Sequence, residues 1–202
     1  MTMPTTDRQT EVKGPRLAII SAAARLFRRR GYAGVGMNEI VEASGAPKGS
    51  VYHYFPRGKA QIGLAAVELG GRVASKTLNG LLGAQADPAE AARLYGARMA
   101  DWMNLSGFRD GCPIATIVLE MAPQDGAIAA AAAQAFDDWR LTFANALEGK
   151  GLGPERAAGL ALLAVTSIEG ALILARAKAS TEPILQASEA IAQAFETALA
   201  AV

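Results

Sequence analysis

The chain predicts an all-α fold of nine helices, with a small three-helix head carried on a larger helical body. Three observations predict it. Apolar residues make up 51% of the 202 residues and alanine is abundant, while runs of Val, Ile or Thr alternating with period two are missing, so the local preference is helical nearly throughout. Glycine, proline and capping residues punctuate the chain at Pro15, Gly31, Gly45, Pro56 to Gly58, Asp87-Pro88, Pro113, Asp125, Gly151 to Pro154 and Pro183. Between these stops apolar residues recur at helical spacing.

Residues 1–14 are polar and without periodicity and are expected to be a disordered arm. Pro15 suits a first helical position, and Ile19, Ala22, Ala23, Leu26 and Phe27 form an apolar stripe that ends at Gly31. Met37, Ile40, Val41 and Ser44 give a second, short helix, and Gly45 supplies the sharp exit from it. Pro47 to His53 predicts a two-turn third helix anchored by Val51 and Phe55. Pro56, Arg57 and Gly58 close this head, residues 15–58. The body, residues 59–202, opens with a helix from Lys59 to about Leu82. The next starts at the cap Asp87-Pro88, with Glu90 at its third position, and runs to about Leu105. Pro113 begins a short helix ending near Met121 and Ala122. Asp125 caps one from Gly126 to about Lys150, Pro154 opens one to about Ser180, and Thr181-Pro183 begins the last.

The charge is divided. Residues 1–60 hold ten Lys and Arg against Asp7, Glu11, Glu39 and Glu42, a net of +6, whereas the remainder is −5. A basic head on an acidic body suits a polyanionic partner of the head. Arg28, Arg29 and Arg30 contribute to this; they either attract phosphate or complement the dipole at the end of the first helix.

Several function classes are excluded by composition. Cys112 stands alone, so no internal disulfide forms, and there is no Cys/His spacing for zinc; neither metal nor cofactor is expected. With no apolar stretch of a signal peptide near the start, a cytoplasmic location is expected. The most apolar run, Leu160 to Ala175, is 16 residues long and carries Glu169, short of the roughly 20 that cross a bilayer. One histidine and one cysteine, in different regions, assemble no catalytic constellation, and Arg57-Gly58-Lys59-Ala60 lacks the flanks of a phosphate-binding loop, so the chain is not read as an enzyme.

The head carries a specific set of motifs: Leu26-Phe27, Gly31-Tyr32, Ile40, Ala43-Ser44-Gly45, Lys48-Gly49-Ser50, Tyr52-His53-Tyr54-Phe55-Pro56 and Lys59. With these residues it resembles the TetR family of transcriptional repressors, and the count of helices extends the resemblance over the whole chain. Gly111-Cys112-Pro113 and Ala135-Phe136-Asp137-Asp138-Trp139 make the second half look like the LmrA/YxaF-type branch, whose members respond to small hydrophobic compounds. Val35 and Gly36 depart from the pattern, standing where the family has a Thr or Ser hydroxyl that caps the second helix and touches phosphate. Only this departure points to the competing reading, a helical ligand-binding or scaffold protein without DNA binding.

In a helix-turn-helix the recognition helix reaches base edges while flanking donors grip phosphates. Lys48 and Ser50 are the candidates for bases, and Gly49 lets the backbone approach. Tyr52 and Tyr54 hydroxyls donate to phosphate, or else these rings fill the small core, as Phe55 does. His53 is either a further contact or a solvated side chain. Gly36 caps the second helix, whose N–H groups face phosphate, and by the resemblance Lys59 is a phosphate-binding lysine.

In the body, Tyr95, Met99, Trp102, Met103, Phe108, Met121, Phe136, Trp139 and Phe143 gather large adaptable side chains on three helices and a loop. Singly each suits a core; together, where the resembling family has its pocket, they suggest a small hydrophobic effector. Glu169 is expected either to pair with Arg140 or Arg176 or to meet a ligand donor. Cys112 reads as a space-filling thiol. The last two helices are more apolar than one buried face requires, which predicts a homodimer through them on a palindromic double-stranded DNA operator.

Overall fold

A computed structural model describes residues 14–85 and 87–202, so the expected disordered arm lies, Gly14 apart, outside the described residues. Among those described, nine helices form and no strand. They are α1 (Pro15–Arg30), α2 (Met37–Ser44), α3 (Lys48–Tyr54), α4 (Lys59–Gln85), α5 (Pro88–Leu105), α6 (Ala115–Met121), α7 (Gly126–Glu148), α8 (Pro154–Lys178) and α9 (Glu182–Leu199).

Boundaries differ from expectation by small amounts with local causes. Pro47 flanks α3 as its N-cap, extended at ψ 139°, instead of opening it. Pro113 and Ile114 form a turn, and α6 starts two residues later. The caps at Asp87 and Asp125 form as the sequence dictates: Asp87 accepts from Ala89 N–H (2.9 Å), and Asp125 accepts from Ala127 and Ile128 N–H (3.0 and 3.1 Å).

In the head, α1 packs on α2, α3 and α4. Ile19, Ile20, Ala23, Phe27, Ile40, Val51 and Phe55 are buried there. A seven-residue helix is unstable alone, so α3 depends on Val51 and Phe55; full burial stabilises it by about 1.5–3 kcal/mol for each. Gly45 turns α2 into α3 with φ +66°, a left-handed conformation that favours glycine.

The core continues from the head into the upper body through Ile62, Ile114, Ile117 and Ile128. A second, lower cluster joins α4, α5, α7, α8 and α9 around Leu78, Phe143, Leu147 and Phe195. α5 packs along α9, α4 along α7, and α8 against both α7 and α9. At 25 residues α8 far outruns the apolar run seen in sequence. Among the described residues it is the one helix long and apolar enough to cross a membrane, and it packs as a bundle helix with Ala161, Ala164, Ile168 and Ala175 buried.

Candidate nucleic-acid interface and effector site

The periodicity of α3 separates an anchor from a displayed face. Val51 and Phe55 are fully buried, whereas Lys48, Gly49, Tyr52 (44% exposed), His53 and Tyr54 (36%) are exposed and Ser50 is half-buried. The tyrosines therefore lie outside the core, and Phe55 lies in it. His53 packs edge-on to Tyr54, ring centroids 5.3 Å apart. Arg16, at the start of α1, stacks on the outer side of Phe55 at 5.6 Å.

At the entrance to α2, one half of a capping box forms without the hydroxyl. Glu39 accepts the Gly36 backbone N–H (2.8 Å), and Arg30 braces the same carboxylate. These contacts hold the Glu39 carboxyl below its usual range, the Gly36 N–H first. No side chain accepts from the first-turn N–H groups that a Thr or Ser hydroxyl would take. The Gly36 N–H is engaged inside the protein; the N–H groups expected to face phosphate are those of the first turn of α2. Lys59 lies half-buried with its Nζ 4.2 Å from the centre of the Tyr32 ring. Burial lowers its pKa, opposed by the nearby Glu120 and Glu39.

The arginine run is ion-paired within the protein, although Arg29 and Arg30 stay half exposed. Arg28 and Arg29 each place Nε 2.7 Å from the carboxylate of Asp110, which is 1% exposed. Arg28 also stacks on Trp102 at 5.1 Å, and Arg30 pairs with Glu39. The last turn of α1 turns toward the body because its carbonyls are capped from there: Gly111 N–H donates to Arg28 O (2.9 Å) and Arg176 donates to Arg29 O (3.1 Å). Beside it, Glu120 of α6 accepts the N–H groups of Tyr32 and Ala33 (2.8 and 2.7 Å). Gly31 permits this approach: its φ is +77°, and a Cβ there would overlap the Glu120 carboxylate. Sequence reasoning missed Asp110 and Glu120 as joint residues; the signal was the charge opposition of head and body, which partly neutralises itself at this seam.

In the body, the expected effector residues divide. Met103 and Trp139 are buried in the upper cluster, with Met99, Trp102, Phe108, Met121 and Phe136 packed against it. Phe136 meets Trp139 edge-on at 5.6 Å. Phe143 instead belongs to the lower cluster, edge-on to Phe195 of α9 at 5.7 Å, and so is a core contact set apart from the group. Tyr95 packs in that lower cluster too, with Met99 touching both.

Glu169 does not make the expected arginine pair. Arg140 bonds Asp137 (3.2 Å) and Arg176 is spent on Arg29 O. Its carboxyl faces the buried Cys112 thiol, and Oε1 is buried without a hydrogen-bond partner. Burial pushes Glu169 up to about 7, opposed only by Cys112, and pushes the Cys112 thiol and Tyr95 phenol up as well. Cys112 is accordingly a protonated, space-filling thiol.

This geometry agrees with the known proteins the chain resembles. Residues 19–66 match the family described as bacterial regulatory proteins, tetR family, and residues 88–190 match the transcriptional regulator LmrA/YxaF-like C-terminal domain. Two curated relatives come from Bacillus subtilis (strain 168). YxaF, an uncharacterized HTH-type transcriptional regulator, is 32% identical over 86% of this chain and 91% of its own length. LmrA, an HTH-type transcriptional regulator, is 30% identical over 86% of this chain and 92% of its own. A solved structure of regulatory protein TetR from Rhodobacter sphaeroides superposes with a TM-score of 0.78 at 27% identity, over 88% of this chain and 96% of that one.

Proposed function

We propose that this chain, which belongs to the TetR family of DNA-binding transcriptional regulators, is a repressor that holds a palindromic operator as a homodimer and is released by a small hydrophobic effector. The observation that carries the reading is the displayed face of α3. Lys48, Ser50, Tyr52, His53 and Tyr54 project from a helix whose other face is locked by Val51 and Phe55, so bases and phosphates meet a rigid surface. Around it Lys59 and the first turn of α2 supply phosphate donors.

Pairing of two copies rests on α8 and α9. Leu162, Leu163, Ile173 and Leu174 are about half exposed or more on α8, with Thr166 and Gly170 between them, and Leu185 continues the apolar surface onto α9. A contiguous patch of this kind on a family member is the surface for a second copy by two-fold symmetry. The dimer sets two α3 helices about one DNA turn, roughly 34 Å, apart. Acting on DNA, the protein works in the cytoplasm and performs no catalysis.

The joint makes the coupling physical. Asp110 and Gly111, which hold the last turn of α1, directly precede Cys112 in sequence, and Cys112 faces Glu169 in the body. An effector that binds better to a state with this loop displaced shifts the heads out of register. A gel shift with the DNA upstream of the protein's own gene tests the reading: the protein binds it, and the complex dissolves with effector. Absence of any sequence preference over bulk DNA would overturn it.

A further inference from the structure

Among the described residues four buried side-chain polar atoms have no hydrogen-bond partner: Arg28 Nε, which lies against the Asp110 carboxylate as an ion pair, and, in the body, Ser75 Oγ on α4, Trp139 Nε1 on α7 and Glu169 Oε1 on α8. Helix geometry relates two of them. α4 and α7 run in the same direction, with Gly63 facing Ile128 and Gly71 facing Ala135. Ser75 and Trp139 each follow by four residues, so they stand on the same facing sides one turn further along. The loop bearing Cys112 reaches this region, because Pro113 and Ile114 pack on Gly70 of α4. Cys112 in turn faces Glu169. Apolar side chains fill the surroundings, among them Met99, Met103 and Leu172.

Each of these atoms of the body forfeits hydration without compensation, which natural interiors tolerate where a ligand completes the set. The most expensive is the carboxylate. Among the described residues no Lys or Arg pairs with it: Arg140 and Arg176 are committed elsewhere, and Arg28, which reaches the region over Trp102, is spent on Asp110. The titratable groups facing Glu169, Tyr95 of α5 and Cys112 of the loop, are both held neutral by burial. A cation is what is missing. The Trp102 face is already taken by Arg28, whereas Trp139, edge-on to Phe136, adds aromatic surface for the apolar part of such a ligand.

We infer that the effector is an amphipathic amine, its ammonium group held by Glu169 and its apolar body lodged among Trp139, Met99 and Met103. This rests on the reading of the body as effector-binding. Trp139 Nε1 and Ser75 Oγ remain for a polar atom elsewhere on such a ligand. Because burial raises Glu169 to about 7, the amine binds more tightly as the carboxyl ionises, and a neutral alcohol of the same shape does not.

The test is calorimetric titration of the full chain, without DNA, by 4-phenylbutylamine and by 4-phenylbutanol at pH 6 and pH 8. The amine stays protonated at both. At pH 8 it binds at least tenfold more tightly than the alcohol, and its affinity falls about tenfold at pH 6, following the ionised fraction of a group near 7. Glu169→Gln removes the advantage and leaves the alcohol unchanged. Equal affinities, no binding by either compound, an affinity for the amine that is flat with pH, or an advantage that survives Glu169→Gln overturns the inference. The pH comparison uses the unaltered protein and so stands even if the variant folds poorly. A protein that fails these titrations but binds its upstream DNA keeps the repressor reading and loses this one; the reverse pattern does the opposite.

Discussion

Asp110→Asn isolates the seam between head and body, because it keeps the side chain's volume and removes only its charge. Asp110 is 1% exposed and takes two guanidinium groups, Arg28 at 24% exposure and Arg29 at 50%. These exposures set the magnitude. Arg29 rehydrates on losing its partner, at a cost of about 0.5–1 kcal/mol. Arg28 is confined between Trp102 and the loop, and an unpaired charge held there costs about 2–3 kcal/mol, the lower side of what breaking a buried pair costs. The sum, about 3 kcal/mol, lowers the melting temperature by about 6–12 °C for a chain of this size. Thermal unfolding followed by circular dichroism measures it. A double-mutant cycle with Arg28→Met completes the assay: an apolar replacement for the released cation restores part of the loss, giving a coupling energy above about 1 kcal/mol. A melting temperature within 2 °C of the parent, or additive single losses, refutes the view that this buried carboxylate clamps the head.

Other expectations follow from the same geometry. Lys59→Ala weakens operator binding and reduces the slope of log affinity against log salt by about one unit if Lys59 meets phosphate; an unchanged slope leaves it only its stacking on Tyr32. Leu174→Glu places a charge in the apolar patch of α8, and the protein then sediments as a monomer at micromolar concentration; a dimer that persists moves the interface elsewhere. Glu169→Gln removes a pH-dependent penalty. Its carboxyl ionises near 4.5 in the unfolded chain and near 7 in the folded one, so parental stability declines as pH rises from about 4.5 to 7 and is level beyond. Urea unfolding at pH 8 shows the variant more stable by up to about 3 kcal/mol, the gain vanishing near pH 4.5. A constant difference between the two pH values contradicts a raised Glu169.

Much of the fold was legible because its signals are local. Pro15, Asp87, Asp125 and Pro154 act within one turn of the helix they start, and Gly45 fixes its own turn, so neither needs knowledge of the rest of the chain. The displayed face of α3 was equally legible from the four-residue spacing of Val51 and Phe55. What the sequence concealed depends on long-range partners. Arg28 to Arg30 look like a phosphate-seeking run until Asp110, some eighty residues away, is folded against two of them. Likewise Phe143 shares a helical stripe with Phe136 and Trp139, but Phe195, some fifty residues on in α9, packs edge-on against it.

The hidden residues are also the ones that join the two halves. A head that bound DNA through arginines at the end of α1 would answer only to salt and sequence. With those arginines ion-paired, less of their charge is left for DNA, and the guanidinium groups of Arg28 and Arg29 hold the loop that carries Asp110, Gly111 and Cys112. The loop is therefore constrained from two sides, by cations of the head and by the Glu169 environment of the body. A ligand that changes the charge balance at Glu169 has a short physical route to α1, through three consecutive residues.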